Sequence, residues 1–165
     1  MSAEEIVLFL RSELGAECVE EADLNARQPW LLIPAPQLPA VCEKLQRDER
    51  LYFDYLSCLT GVDQGPGKAF LEVVYHLYSL IHEHAIVLKV RTLRDSPTPI
   101  PSVSAFWRAA EWHEREAWDL LGIPFGGHPD LRRILLPEDW QGHPLRKDYE
   151  VQEEYHGIQV KSPQP

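Results

Sequence analysis

Between Glu114 and Tyr149 the chain gathers the side chains that acid–base chemistry uses: Glu114, Glu116 and Asp119, then His128 and His143, each histidine set between a glycine and a proline. A carboxylate or imidazole held beside a reacting group can shuttle its protons, so a loop rich in both is a candidate active site. The same groups also have a structural use. Arg132, Arg133, Arg146, Lys147 and Asp148 share the stretch, and buried cations there need carboxylate partners. A histidine in a proline-rich turn can bond backbone groups that the turn leaves unpaired. The more economical expectation is that the carboxylates hold the segment and both histidines are structural. A catalytic loop is the competing one.

Other motifs begin and do not finish. His113-Glu114 opens like the HExxH helix of zinc peptidases, but Ala117 stands where the second histidine belongs. His82 and His84 share one face of an extended strand, and two ligands do not close a metal site. Gly65-Pro-Gly-Lys68 lacks the spacing of a phosphate-binding loop, and Ala69 replaces its hydroxyl. There is no GxSxG elbow, and Cys58 has no cation beside it in sequence to lower its pKa. Cys18, Cys42 and Cys58 form no CxxC pair and are odd in number, so buried free thiols are expected.

The elements that position these residues follow from periodicity. Ile6, Val7, Leu10 and Leu14 recur at helical spacing, with Gly15 as the stop. Short strands are expected at 19–22 and 30–33, and a second helix over 37–50 through Leu38, Val41, Cys42 and Leu45. Residues 52–59, 69–80 and 82–93 read as strands, the last two as a hairpin. Asp95 to Pro101, with three prolines, breaks the chain. Ser102 or Ser104 then caps a helix running from about 105 to 121, stabilised by Glu111–Arg115 and Arg115–Asp119 pairs four residues apart. The fold class is α+β: helices packed on a mostly antiparallel or mixed sheet, followed by a helix and a long irregular C-terminal arm. Residues 1–101 form the core and residues 102–165 the helix and arm of the same unit.

From Gly122 to Tyr149 four glycines and four prolines interrupt any apolar period, so neither helix nor strand accounts for the segment. Leu131, Ile134, Leu135, Leu136, Trp140 and Leu145 are too many large apolar groups for a solvated tail. An ordered arm packed against something is expected, with residues 151–165 fraying beyond it.

The chain has 165 residues, enough for one domain with a real core. Its 26 acidic against 16 basic residues give a formal charge of −10, which disfavours nucleic-acid binding because phosphates are repelled. No apolar run approaches the ~20 residues that span a bilayer, and the acidic N-terminus is unlike a signal peptide. A cytosolic setting is expected.

Glu114-Arg115-Glu116, Asp119-Leu-Leu121, His128-Pro129-Asp-Leu-Arg132-Arg133-Ile-Leu-Leu and the run through Trp140, His143, Arg146, Lys147, Asp148 and Tyr149 resemble the signature of the 30 kDa (C) subunit family of NADH–quinone oxidoreductase, respiratory complex I. SCLTGVD and LEVVYHLYSL upstream are also similar, so the resemblance covers roughly Tyr52 to Tyr149. It implies a peripheral, non-catalytic subunit of a proton-translocating complex. In such complexes electrons pass from NADH through FMN and iron–sulfur clusters in neighbouring subunits to quinone. It implies no cofactor in this chain, in keeping with three scattered cysteines where an iron–sulfur cluster usually needs four thiolates.

The implied partners are chiefly the large D subunit of complex I, which holds the quinone site, with the iron–sulfur B and I subunits adjacent. The implied location is the cytoplasmic face of the inner membrane, or the matrix side in a mitochondrion. Some relatives are fused to the D subunit, and a chain stopping at Pro165 is expected to be separate. Glu150 departs from the proline that often follows the Asp-Tyr pair. Membership of a related membrane-bound hydrogenase, and a stand-alone metal-dependent enzyme built on His128 and His143, are the alternatives. The family assigns this subunit no catalytic residue, so none is carried over.

Overall fold

Alternation of side chains along β4 (Phe70–Ser79) sorts the molecule into an inside and an outside. Leu71, Val73, Tyr75 and Leu77 point inward and are almost fully buried, each aliphatic burial contributing roughly 1.5–3 kcal/mol. In the computed structural model, which describes residues 1–160, β4 lies next to one edge of a five-stranded sheet. The other strands are β1 (Glu21–Asp23), β2 (Trp30–Leu32), β3 (Tyr55–Val62) and β5 (His84–Leu93), in the order β1-β2-β5-β4-β3. The sheet is mixed, since β2 runs parallel to β5 while the other neighbours are antiparallel.

Three helices contribute to the core beneath the inner face. In α1 (Ala3–Leu14) Ser2 and Glu5 form a reciprocal capping box, and Ile6, Val7, Phe9 and Leu10 turn inward. α2 (Leu38–Arg47) opens with Pro39 near its start and buries Leu38, Val41, Cys42 and Leu45. It ends at Arg47, three residues earlier than the pattern predicts, because Leu51 and Phe53 must fold back into the core, where Phe53 N–H bonds Leu45 O at 2.9 Å. α3 (Ala110–Leu121) packs along β3. Gly61 permits this approach: a Cβ there would sit 2.5 Å from Leu121 Cδ1.

The start of α3 corrects the expectation drawn from Ser102 and Ser104. The helix begins at Ala110, and its cap residue Ala109 makes no side-chain cap bond. Residues 103–109 are turns, and Trp107 Nε1 donates to Phe53 O at 2.9 Å. Ser102 instead donates to the Glu114 carboxylate at 2.6 Å and is unavailable as a cap. On either side of α3, β6 (Ile100–Pro101) and β7 (Phe125–Gly126) pair in parallel. Past the arm, residues 151–160 do not simply fray: β8 (Glu154–Tyr155) and β9 (Ile158–Gln159) form a small hairpin. Residues 161–165 of that expectation lie outside the described residues.

On the outer face Lys89 Nζ lies 3.9 Å from the Trp30 ring centre and the Arg91 guanidinium 4.4 Å from that of Phe70. Glu72 lies between them, accepting from Arg91 Nε at 3.0 Å. Among the described residues no helix is long and apolar enough to cross a membrane.

Candidate docking arm and its anchors

Helix α3 turns three ionisable side chains, Glu114, Arg115 and Asp119, into the protein. Their spacing puts Asp119 one turn beyond Arg115, yet the two do not pair. Arg115 donates from Nε to Arg132 O at 3.0 Å and from Nη2 to Arg133 O at 2.9 Å, and its guanidinium lies 5.3 Å from the Trp112 ring centre. The expected i,i+4 pairs through Arg115 are therefore replaced. Carbonyls of the arm, which has no ladder of its own, need donors, and a fork of N–H groups serves two at once.

Asp119 is fully buried and is the arm's main anchor. Oδ2 accepts the N–H groups of Ile134, Leu135 and Leu136 at 3.0, 2.8 and 2.9 Å. Oδ1 accepts Arg133 Nη1 at 2.7 Å, and Arg133 Nη2 donates to Trp140 O at 2.9 Å. Burial alone would push this carboxyl up. The three backbone N–H groups and the guanidinium more than offset that and hold it below the ordinary aspartate value.

Glu114 serves a different segment. It accepts from Ser102 Oγ at 2.6 Å and from Val103 N at 2.8 Å, and so fixes the turn that precedes α3 rather than the arm that follows it. Burial pushes its carboxyl up, against the opposing effect of those two bonds. Glu116 faces solvent.

Both Gly-His-Pro histidines bond backbone, as their setting predicts. His128 Nε2 donates to Glu111 O at 3.0 Å while Nδ1 accepts Asp130 N–H at 3.0 Å, which assigns the Nε2-protonated tautomer. His143 Nδ1 donates to Asp119 O at 2.9 Å. Its ring lies over Gly122, whose φ of 71° terminates α3, and a Cβ at Gly122 would meet that ring at 2.6 Å.

The two basic pairs behave unequally. Arg133 is largely buried, whereas Arg132 is solvent-exposed and bonds exposed Asp130 beside it. Arg146 bonds carbonyls rather than a carboxylate, reaching Leu121 O at 2.7 Å and Arg94 O at 3.2 Å. Lys147 uses its backbone N–H, which donates to Asp63 Oδ2 at 2.8 Å. Pro129 is exposed next to His128. Trp140 stacks obliquely on Tyr155 at 5.2 Å between centres, and Tyr155 donates to Asp139 at 2.8 Å.

Asp63 closes the SCLTGVD run, but nothing in the sequence pairs it with Arg94. Arg94 is 2% exposed and joins Asp63, at the end of β3, to Asp148 in the arm, the latter bond at 2.6 Å. The Arg94 guanidinium holds the Asp63 carboxyl well below the usual range, with N–H bonds from Lys147 and Gly65 adding to it. These partners are 31 and 54 residues apart, and no short-range pattern marks them.

His82 and His84 donate from Nε2 to Glu49 O and Leu51 O at 2.8 and 2.7 Å. Cys18 and Cys42 are buried as expected, while Cys58 is half-exposed on the outer sheet face. Among the described residues no group of three His, Cys, Asp or Glu side chains is arranged to hold a metal. Glu114, Asp119 and His128 are each committed to bonds within the protein, so the arrangement is one that fixes a path for the chain.

An α+β domain with an irregular arm pinned by buried charges is the class that fold and site define. Residues 31–155 match the family described as respiratory-chain NADH dehydrogenase, 30 Kd subunit, and the chain belongs to that family. It is 49% identical over 150 residues to the C subunit of an NADH-quinone oxidoreductase from Chloroherpeton thalassium, covering 90% of this chain and 61% of that one. Against the corresponding C subunit of Chlorobium phaeobacteroides it is 46% identical, covering 92% and 90%. Against that of Moorella thermoacetica it is 46% identical, covering 80% and 89%. The chain thus spans about three fifths of the first relative's length and nearly all of the other two. A chain in the solved structure of an archaeal membrane-bound sulfane sulfur reductase shares the fold, with a TM-score of 0.64, 24% identity, and coverage of 92% and 87%.

Proposed function

We propose that this chain is a non-catalytic peripheral subunit of a proton-translocating NADH:quinone oxidoreductase. Its arm docks on the large D subunit, which holds the quinone site, with the iron–sulfur B and I subunits adjacent. FMN, the iron–sulfur clusters and quinone belong to those neighbours, and the assembly faces the cytoplasm, or the matrix in a mitochondrion. Residues 1–101 act as the core and the segment from 102 onward as the helix-plus-arm unit.

One observation carries this reading. Beyond β7 the arm has no ladder or helix, yet Arg115, Asp119 and Arg133 bond its backbone at fixed points, and Arg146 ties it to Leu121 O at the end of α3. Held this way it presents Leu135 at 62% and Leu145 at 55% exposure. Preorganising a loop lowers the ordering cost of binding, and exposed leucines on a fixed path suit burial by a partner.

The test is co-expression of the tagged chain with candidate D, B and I subunits. Retention of the D subunit, and loss of membrane NADH:quinone reductase activity in an Asp119→Ala strain, is the expected result. Failure to retain it, or metal-dependent turnover by the isolated chain, would overturn the reading.

A further inference from the structure

Turn tips normally carry polar residues, because they face water and must adopt turn geometry. The tip between β4 and β5 instead carries Leu80 and Ile81, 60% and 67% exposed. The tip is firmly held. Glu83 N–H bonds Ser79 O at 2.9 Å, and Leu80 N–H bonds Asp54 Oδ1 at 2.9 Å. His82 and His84 tie it to the carbonyls of Glu49 and Leu51. The loop so tied carries Tyr52, 40% exposed, and leads to Tyr55, 51% exposed and opposite Tyr78 in the register. Tyr52 and Glu83 sit at φ 40° and 53°, a costly backbone region for such residues that persists only where surrounding bonds impose it.

This surface continues onto the outer face of the sheet. Beside Tyr78 a groove of about 480 Å³ runs over Cys58, His76, Ala85 and Val87. Tyrosine and large aliphatic groups next to a groove have the composition of an interface centre. The surface is separate from the arm's anchors. Tyr55 opens β3, while Val62 and Asp63 close it where Arg94 and Lys147 bind, roughly 23 Å along the strand.

Charge decides the occupant. Glu49, Asp54 and Glu83 are exposed on the two loops. Of the cations there, Arg50 is held by Asp48 through two bonds of 2.8 and 2.7 Å, and the Met1 ammonium lies 3.3 Å from His84 Nδ1. Arg27 lines the groove itself, whereas the three acids lie on the loops beside it. A second copy would bring the same acids and a formal charge of −10, and an anionic bilayer would be repelled. We infer that the Tyr52–Tyr55 and Leu80–Ile81 surface, with its groove, docks a segment of a partner protein that inserts an apolar side chain flanked by lysine or arginine. This rests on the subunit reading above and adds a second contact, remote from the arm.

The test uses the complex purified through the tagged chain, and the chain alone. Both are subjected to hydroxyl-radical footprinting and to zero-length carbodiimide cross-linking. Severalfold protection of Tyr52, Tyr55, Leu80 and Ile81 in the complex is expected, with Glu49, Asp54 or Glu83 joined to lysines of another subunit. Leu80→Ser plus Ile81→Ser should lower incorporation severalfold at an unchanged melting temperature. Glu49→Lys plus Glu83→Lys, which alters only exposed charge, should do the same if the first variant misfolds. Equal oxidation in complex and free chain overturns the docking surface while leaving the subunit reading intact. So do cross-links between two copies, or protection by phosphatidylglycerol vesicles. A tagged chain that brings down no other subunit overturns both.

Discussion

Arg133 Nη1 lies 2.7 Å from Asp119 Oδ1, and the other oxygen of that carboxylate receives three successive backbone N–H groups from residues 134–136. One aspartate on a helix thus replaces the hydrogen-bond ladder that a regular element would give this part of the arm. Such a carboxylate resembles the anion held in a backbone nest, with the anion supplied by the protein itself.

Removing Asp119 orphans three N–H groups and a guanidinium. Asp119→Ala should cost roughly 3–5 kcal/mol, the range for breaking a buried charge network. Arg133→Ala leaves the three N–H bonds in place and should cost less, about 1.5–3 kcal/mol for a lost bond to a charged group. Arg132→Ala, at an exposed pair, should leave urea midpoints unchanged. Equal losses for Arg132→Ala and Arg133→Ala would sink the assignment of Arg133 as the anchor.

Asp63 and Asp119 should contribute to the acid limb of stability, alongside the more exposed Asp48, whose carboxyl is lowered to about 2 by Arg50. The first two are held below the ordinary value of 3.8 in the folded chain. Their contribution is present above 3.8 and is lost as pH falls through that value toward the folded pKa values. Each adds a slope of at most about 1.36 kcal/mol per pH unit there. Asp63→Asn should flatten this limb while lowering stability at neutral pH. Chemical denaturation between pH 5 and pH 2 gives the slope directly.

Glu114 carries the opposite sign. Its folded pKa is raised above 4.5, so its protonated form favours the fold. Stability falls as pH rises from 4.5 through the folded pKa and is flat beyond it. Glu114→Gln keeps an acceptor for the Val103 N–H and should abolish that fall. A variant whose profile over this window matches the parent would show that Glu114 does not titrate there.

Gly122→Ala tests the junction of helix and arm. A side chain at φ 71° costs about 1–2 kcal/mol, and the new Cβ would meet the His143 ring. The variant should lose more than His143→Ala alone, and should be cut by protease between residues 141 and 150 before the core unfolds. Limited proteolysis followed by mass spectrometry reads this out.

Local chemistry made much of the molecule legible. Period-2 and period-3.6 patterns place α1, α2 and the strands within a few residues, because side-chain burial repeats along the chain. The glycine and proline spacing of 122–149 excludes any long helix or strand there, leaving only the two-residue β7, and the Gly-His-Pro setting marks both histidines as backbone partners. The run of residues from Glu114 to Tyr149 also carries the family. What stays hidden are pairings at a distance. Ser102 looks like a helix cap until the fold brings Glu114 to it. Arg115 looks like a rung between Glu111 and Asp119 until two arm carbonyls claim it. Arg94 and Asp63 look like ordinary strand-end charges until closing the sheet buries them together. A buried ion or carbonyl is satisfied by whichever group tertiary packing delivers, and sequence spacing cannot supply that choice.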